Sequence, residues 1–499
     1  MTPSPEHPGR GACTRVALAA AVVLALRAGP AAAGDLESAQ ARLAAKDLAG
    51  AAGAFFDVLA HDPSAPVRDQ AQLQLAATLR RLQLHGPALF YYQDLFVQGP
   101  ASPLYREALE GLLELQETLH DPVVVPLLLD RHYDRVAFAQ VAGRAAQVNY
   151  LVGELAFWRG NDSEARAFLS ALGEESPLWP RARYLVGVVA ARAGDPDAAR
   201  RAFAAVEDDE VAGDEVRDLA RLAQARLEYG LGRFSEASTA YDALVPGSPF
   251  AFEGLYEGAW ASFRLGEFGK VLGKLEAVTG PFFDKRHVPE AYVIEATTYF
   301  VNCQWDRVRR AVDRFHRAYD PMATDLAAYL ATPHEPAAFF EDVAAGGNGH
   351  FAVELAREVR RSRRFVDFRF VLEHLAWEAG RVRSAAGLGD GELAEAALQI
   401  IDEQRREIEA AAGGLAERRL RYLRAQLDNL RAQIDVLDFE VADAERQWLE
   451  QGREILKGRR ARLPRPEIPG DQWQHWAFGG EWWRDELGSL QHSLRNECF

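Results

Sequence analysis

Four side chains of the kinds that ligate divalent cations fall between positions 120 and 134: His120, Asp130, His132 and Asp134. Imidazole nitrogens and carboxylates hold zinc when the backbone brings them to one point. Here the spacing is irregular and the run Pro122 to Pro126 interrupts it, so the four read as incidental surface residues, and no metal or cofactor is expected. Phosphate chemistry has a similarly weak signal. The string GLGDGE at 387–392 has close glycines, but no strand precedes it and the later lysine of a phosphate-binding loop is missing. The HExxH, paired CxxC and GxSxG patterns are not found. No catalytic residue is assigned, and an enzyme of unknown type is kept only as an alternative.

The stronger signal is periodic. Gly160, Gly194, Gly232 and Gly266 each stand five residues ahead of a small aliphatic residue, at Ala165, Ala199, Ala237 and Val271, with spacings of 34, 38 and 34. That is the period of a helix-turn-helix repeat. A glycine ends the first helix in a left-handed conformation, and the small residue lets the second helix lie close. Seven residues before each glycine stand Gly153, Gly187, Ala225 and Ala259; nine after it stand Leu169, Phe203, Tyr241 and Leu275. Pro177 and Pro249 close two of the units. Weaker units flank these four: Ala52 with Phe56, Ala88 with Tyr92, and downstream Trp305, Val308, Val312 and Phe315.

These recurring positions resemble the tetratricopeptide repeat family, with about seven or eight units over residues 35–322. The resemblance implies that the first helix of each pair lines a concave groove. Carried onto this chain, the groove positions are Tyr150, Glu154, Phe157, Tyr184, Arg226, Tyr229, Tyr256, Trp260 and Phe263. An aromatic groove of this type suits an extended or helical apolar segment of a partner protein. The same rings could instead pack between repeats.

Composition limits the class of partner. Hydrophobic content of 48% excludes wholesale disorder. The net charge of −16 disfavours nucleic acid, whose phosphates need concentrated Lys and Arg. Residues 1–33 read as a secretory signal, with Arg10 and Arg15 before the apolar run Val16 to Leu26 and small residues at Ala31, Ala32 and Ala33. Cleavage there predicts export to the periplasm or cell surface and leaves no transmembrane span. Of the three cysteines, Cys303 and Cys498 would remain. They either bridge or stand as two lone thiols.

Beyond Pro321 the repeat pattern fades. A connector over 323–390 carries Arg357, Arg360, Arg361, Arg363 and Arg364, which either hold an anionic surface or pair with the chain's own acids. From Leu420 apolar residues step by three and four through Leu423, Leu427, Leu430, Ile434, Leu437, Val441, Ala444 and Trp448. That seam predicts a coiled coil within 391–458. Basic residues in its first half and acidic ones in its second favour antiparallel pairing. The partner is expected to be the segment 391–412 folded back at Gly413 and Gly414, and a homodimer stays open.

The last segment, 459–499, joins a Pro/Arg linker to a tail containing Trp473, Trp476, Trp482 and Trp483. Rings of that size demand burial or a partner. The string GEWWRDELG resembles C-terminal tails of envelope-associated tetratricopeptide proteins, some linked to motility or envelope assembly. The expected fold is therefore all-α: a tetratricopeptide-like solenoid over 34–322, an antiparallel helical hairpin, and a Trp-rich tail. The expected role is a non-enzymatic, exported scaffold binding other envelope proteins, with a single-client chaperone or delivery module as the alternative.

Overall fold

The computed structural model describes residues 35–451, 474 and 476–498, apart from 142, 246, 284, 285, 385 and 386. The expected signal at 1–33, most of the Pro/Arg linker and Trp473 lie outside the described residues. Among those described, the regular elements are all helical. Eight helical pairs follow one another. They are α1 (Leu36–Ala44) with α2 (Leu48–His61), α3 (Ala65–Arg81) with α4 (His85–Phe96), and α5 (Tyr105–Leu119) with α6 (Val124–Arg131). After the short α7 (Arg135–Gln140) come α8 (Ala145–Trp158) with α9 (Asp162–Leu169), α10 (Trp179–Arg192) with α11 (Pro196–Glu207), and α12 (Asp214–Gly230) with α13 (Phe234–Asp242). The last two are α14 (Ala251–Arg264) with α15 (Phe268–Thr279) and α16 (Pro289–Phe300) with α17 (Trp305–Ala331). Then follow α18 (Pro336–Ala344), α19 (Val353–Arg360), α20 (Arg363–Val382), α21 (Glu392–Glu450) and a 3-10 turn, Arg484–Ser489.

The turn inside each pair explains the period. Gly160, Gly194, Gly232 and Gly266 all have φ between 75° and 77°. The residue after each donates its N–H back five positions: Asn161 to Ala156, Asp195 to Ala190, Arg233 to Glu228 and Glu267 to Ser262. This closure satisfies helix carbonyls that would otherwise be orphaned. The same left-handed turn recurs without glycine at Lys46, Gln83 and Cys303, closed by Asp47 to Arg42, Leu84 to Leu79 and Gln304 to Tyr299. The small positions behave as packing requires. A Cβ on Gly153 would lie 2.7 Å from Leu169 Cγ, and one on Gly187 would lie 2.5 Å from the Phe203 ring, so these helices touch backbone to side chain.

The chain divides into two compact units. The first holds residues up to 178 with 334–341 and 359–418; the second holds 179–333, 342–358 and 419 onward. In the first, helices α1 to α6 pack each on the next, and α20 lies against α4. In the second, α10, α12, α14 and α16 form one row, each touching its own second helix and the next first helix along the row.

Two expectations are corrected. The segment 391–412 does not fold back at Gly413, because α21 is one helix of 59 residues, about 88 Å at 1.5 Å per residue. Gly413 is small for a different reason: a Cβ there would run into the main-chain carbonyl of Pro336. The heptad seam is nevertheless covered, since Leu420, Leu423, Leu427, Leu430, Ile434 and Val441 are buried. In the second unit the helix facing it is α17. Arg309 pairs with Glu445, His316 with Asp435 at 3.2 Å, and Asp320 with Arg431 at 3.5 Å, an order that makes the two helices antiparallel. Trp305 meets Trp448 edge to face. Pro321 also does not end a helix; it sits inside α17.

His287 lies close to this junction, its ring edge-on to Tyr319. Burial, with the Arg419 charge adding to it, pushes its pKa down to about 4 from 6.5. The folded state therefore holds it neutral. Its contribution is complete above pH 6.5 and is lost as pH falls toward 4, up to about 3 kcal/mol by linkage. Urea unfolding at pH 7 and pH 4 is expected to show that loss, and His287→Phe should flatten the pH dependence by a similar amount.

Candidate partner-binding surface

The first helices of the second unit place several aromatic rings along one row and tie their polar ends down. On α12, Arg226 makes a two-pronged ion pair with Glu257 of α14, at 2.8 and 2.6 Å. Burial opposes the arginine's charge, but the Glu257 carboxylate outweighs it and holds the guanidinium above its ordinary pKa. The Tyr241 hydroxyl also donates to Glu257, at 3.2 Å. On α14, the Tyr256 hydroxyl and Trp260 Nε1 both donate to Glu290 of α16, at 2.9 and 3.2 Å. Burial and then the Glu290 charge raise the Tyr256 pKa well above normal, so the phenol stays a donor. Trp260 and Phe263 meet edge to face, and Phe263 meets Phe268 likewise. Tyr229 packs against Phe234.

The proposed groove residues thus separate into two sets. Tyr184, Tyr229, Tyr256, Trp260 and Phe263 are half-buried, their bodies packed on the core and one side open. Tyr150 and Phe157 of the first unit are only 8% exposed and serve packing. The Tyr150 hydroxyl donates to Glu154 at 2.9 Å. Glu257 and Glu290 are the bracing carboxylates that sequence reasoning missed. A signal was available, since Glu257 stands 31 residues after Arg226 and Glu290 34 after Tyr256, one repeat on.

The tail docks on the second unit. Leu487 is buried among Val271, Leu275, Val278 and Ile294, with Trp482 and Leu490 packed beside it. His492 N–H donates to the Gly269 carbonyl at 2.9 Å and Glu497 N–H to that of Asn302 at 3.0 Å. Gly269 and Gly273 on α15 are small because Cβ atoms there would meet the carbonyls of His492 and Leu490. Cys498 closes the segment through a disulfide to Cys303, with Cα atoms 5.1 Å apart. Trp476 and Trp483 stay outside, 79% and 62% exposed.

Arginines of α17 line an open cleft of about 390 Å³: Arg307, Arg310, Arg314 and Arg317, with Glu295 and Tyr299. Glu295 accepts two bonds from Arg314 at 2.7 Å, and Arg307 lies over the Tyr299 ring. In the connector, Arg357 faces Glu354 at 3.8 Å and Arg364 lies over Trp158. Three of the four metal candidates read from the sequence are engaged elsewhere. Asp130 pairs with Arg159, Asp134 caps α7, and the His132 ring meets Phe96.

No family model matches the sequence, and no curated protein matches it. Among solved structures, the chain is similar to the crystal structure of a tetratricopeptide repeat protein from Parabacteroides merdae. The identity is 17%, the alignment covers 56% of this chain and 91% of that one, and the TM-score is 0.25.

Proposed function

We propose that the protein is an exported, non-enzymatic scaffold of the tetratricopeptide type that organises a cell-envelope complex, and that it grips a partner along the first helices of its second unit. The observation that carries this reading is the row of half-covered rings Tyr229, Tyr256, Trp260 and Phe263, in which Glu290 fixes the polar ends of Tyr256 and Trp260 and Glu257 holds the adjoining Arg226. Large rings that are rigid before binding lose little entropy on binding, which is what hot-spot anchors need. The disulfide supports an oxidising compartment, in line with the signal-like leader. Trp476 and Trp483, exposed beside a firmly docked segment, supply a second apolar contact.

The test is co-purification from crosslinked cells. Trp260→Ala is expected to remove the partners while lowering stability by only about 1–2 kcal/mol, because the ring is half-covered. Several captured envelope proteins would fit a scaffold; a single one would fit a delivery module. Loss of stability well beyond that range, with partners retained by the surviving fold, would assign Trp260 to the core.

A further inference from the structure

A second site lies within the first unit, where α4 begins against α20. His374 and Glu378 stand four residues apart on α20, hence on one face of it, and both point at His85, the first residue of α4. His85 Nδ1 lies 2.9 Å from His374 Nε2, which lies 2.9 Å from Glu378 Oε1; the third side, His85 Nδ1 to Glu378 Oε1, is 4.0 Å. We propose that His85, His374 and Glu378 form a binding site for one divalent transition-metal ion, zinc being the best match.

The geometry fits this ligand. Atoms bound to zinc at 2.0–2.1 Å in a tetrahedron stand about 3.3–3.4 Å apart, and the three observed separations bracket that value. Two imidazole nitrogens and one carboxylate oxygen are a donor set for zinc, whereas calcium and magnesium take oxygen alone. Hydrogen bonding by itself satisfies the cluster poorly. His374 Nε2 makes both short contacts, to the Glu378 carboxylate and to His85 Nδ1, and a ring nitrogen carries at most one proton, so in either tautomer one cation would serve all three groups better.

The site is also built, with supports outside the ligands. Glu378 is fully buried, and its carboxylate is oriented by the main-chain N–H groups of His85 at 2.8 Å and Gly86 at 3.0 Å. Such outer hydrogen bonds fix ligand direction in metal sites. The two rings lie parallel within 8°, centroids 5.0 Å apart. Gly86 leaves room for the ends of two neighbouring side chains, since a Cβ would come 2.6 Å from Gln404 Oε1 and 2.7 Å from Leu375 Cδ2. Gln404 donates to the Gly86 carbonyl at 2.9 Å, and Arg381 to that of Leu82 at 2.7 Å, which clamps the turn before α4. His374 keeps one-fifth of its side chain exposed, leaving an entry path and a coordination position for water. Bound metal would pin α20 to the second repeat pair, two segments nearly 300 residues apart in sequence.

The full-length protein, stripped with chelator and dialysed, is to be titrated with zinc chloride by calorimetry and with cobalt chloride by visible absorption. One ion per chain at sub-micromolar affinity and the intense visible bands of tetrahedral cobalt are expected. His374→Ala and Glu378→Gln should each abolish both signals, with helicity retained; the glutamine keeps an acceptor for the start of α4. His120→Ala and His132→Ala should bind as the parent does. Absent binding in the folded parent overturns the proposal, as does binding that survives in His374→Ala and Glu378→Gln; the cluster would then serve only to cap α4. Should His374→Ala fail to fold, His374→Gln, which keeps a hydrogen-bonding amide, is read by the same two signals.

Discussion

Breaking the Cys303–Cys498 bond is expected to lower the stability of the second unit more than any other single change. The bond joins residues 195 apart in sequence. Its contribution in the chain-entropy treatment is about 5 kcal/mol, equivalent to a fall in melting temperature of about 10–20 °C. Cys498→Ser is the better variant, because Cys303 occupies the left-handed turn at φ 55° and a change there would add a backbone effect of its own. The loss should be read twice. Calorimetry should show the lower melting temperature in Cys498→Ser and in reduced parent alike, and hydrogen exchange should speed up at His492 and Glu497, whose N–H groups bond to Gly269 and Asn302. An oxidised parent that melts with the variant, or tail amides unaffected by reduction, would refute this.

The adjacent pair Gly413 and Gly414 should respond in opposite directions. Gly413 has its Cα against the Pro336 carbonyl, so a Cβ forces main chain to move. Gly413→Ala is expected to destabilise by about 3 kcal/mol, as overpacking does. Gly414 has only the far end of Arg418 nearby, at 3.4 Å. In mid-helix, Gly414→Ala should stabilise by up to about 1 kcal/mol. A turn at these two residues would instead make both substitutions harmful, so urea unfolding of the pair separates a continuous α21 from a hairpin.

That contrast shows where sequence reading fell short. A glycine pair inside an amphipathic stretch is compatible with a turn and with close approach of another backbone, and only the position of Pro336 decides. The seam from Leu420 to Trp448 called for a covering helix but did not say which. The answer was legible in α17, whose Trp305, Val308, Val312, Phe315 and Tyr319 repeat the same three-and-four step and are all buried. Charges pointed to an antiparallel partner, yet Glu445 meets Arg309 and Arg431 meets Asp320 rather than each other's helix. The left-handed turn was legible where glycine marks it and hidden where Lys46, Gln83 or Cys303 takes the same conformation. The cluster of His85, His374 and Glu378 was invisible, because its ligands come from segments no local motif connects.

Partner binding by the ring row of the second unit is tested most directly by a photo-crosslinking phenylalanine analogue, which keeps a large anchoring ring, placed at position 260 in living cells. Covalent adducts with a reproducible set of envelope proteins are expected, and none when the same group replaces buried Trp305. Stable, exported protein that yields no adduct from position 260, or the same adducts from both positions, would contradict it.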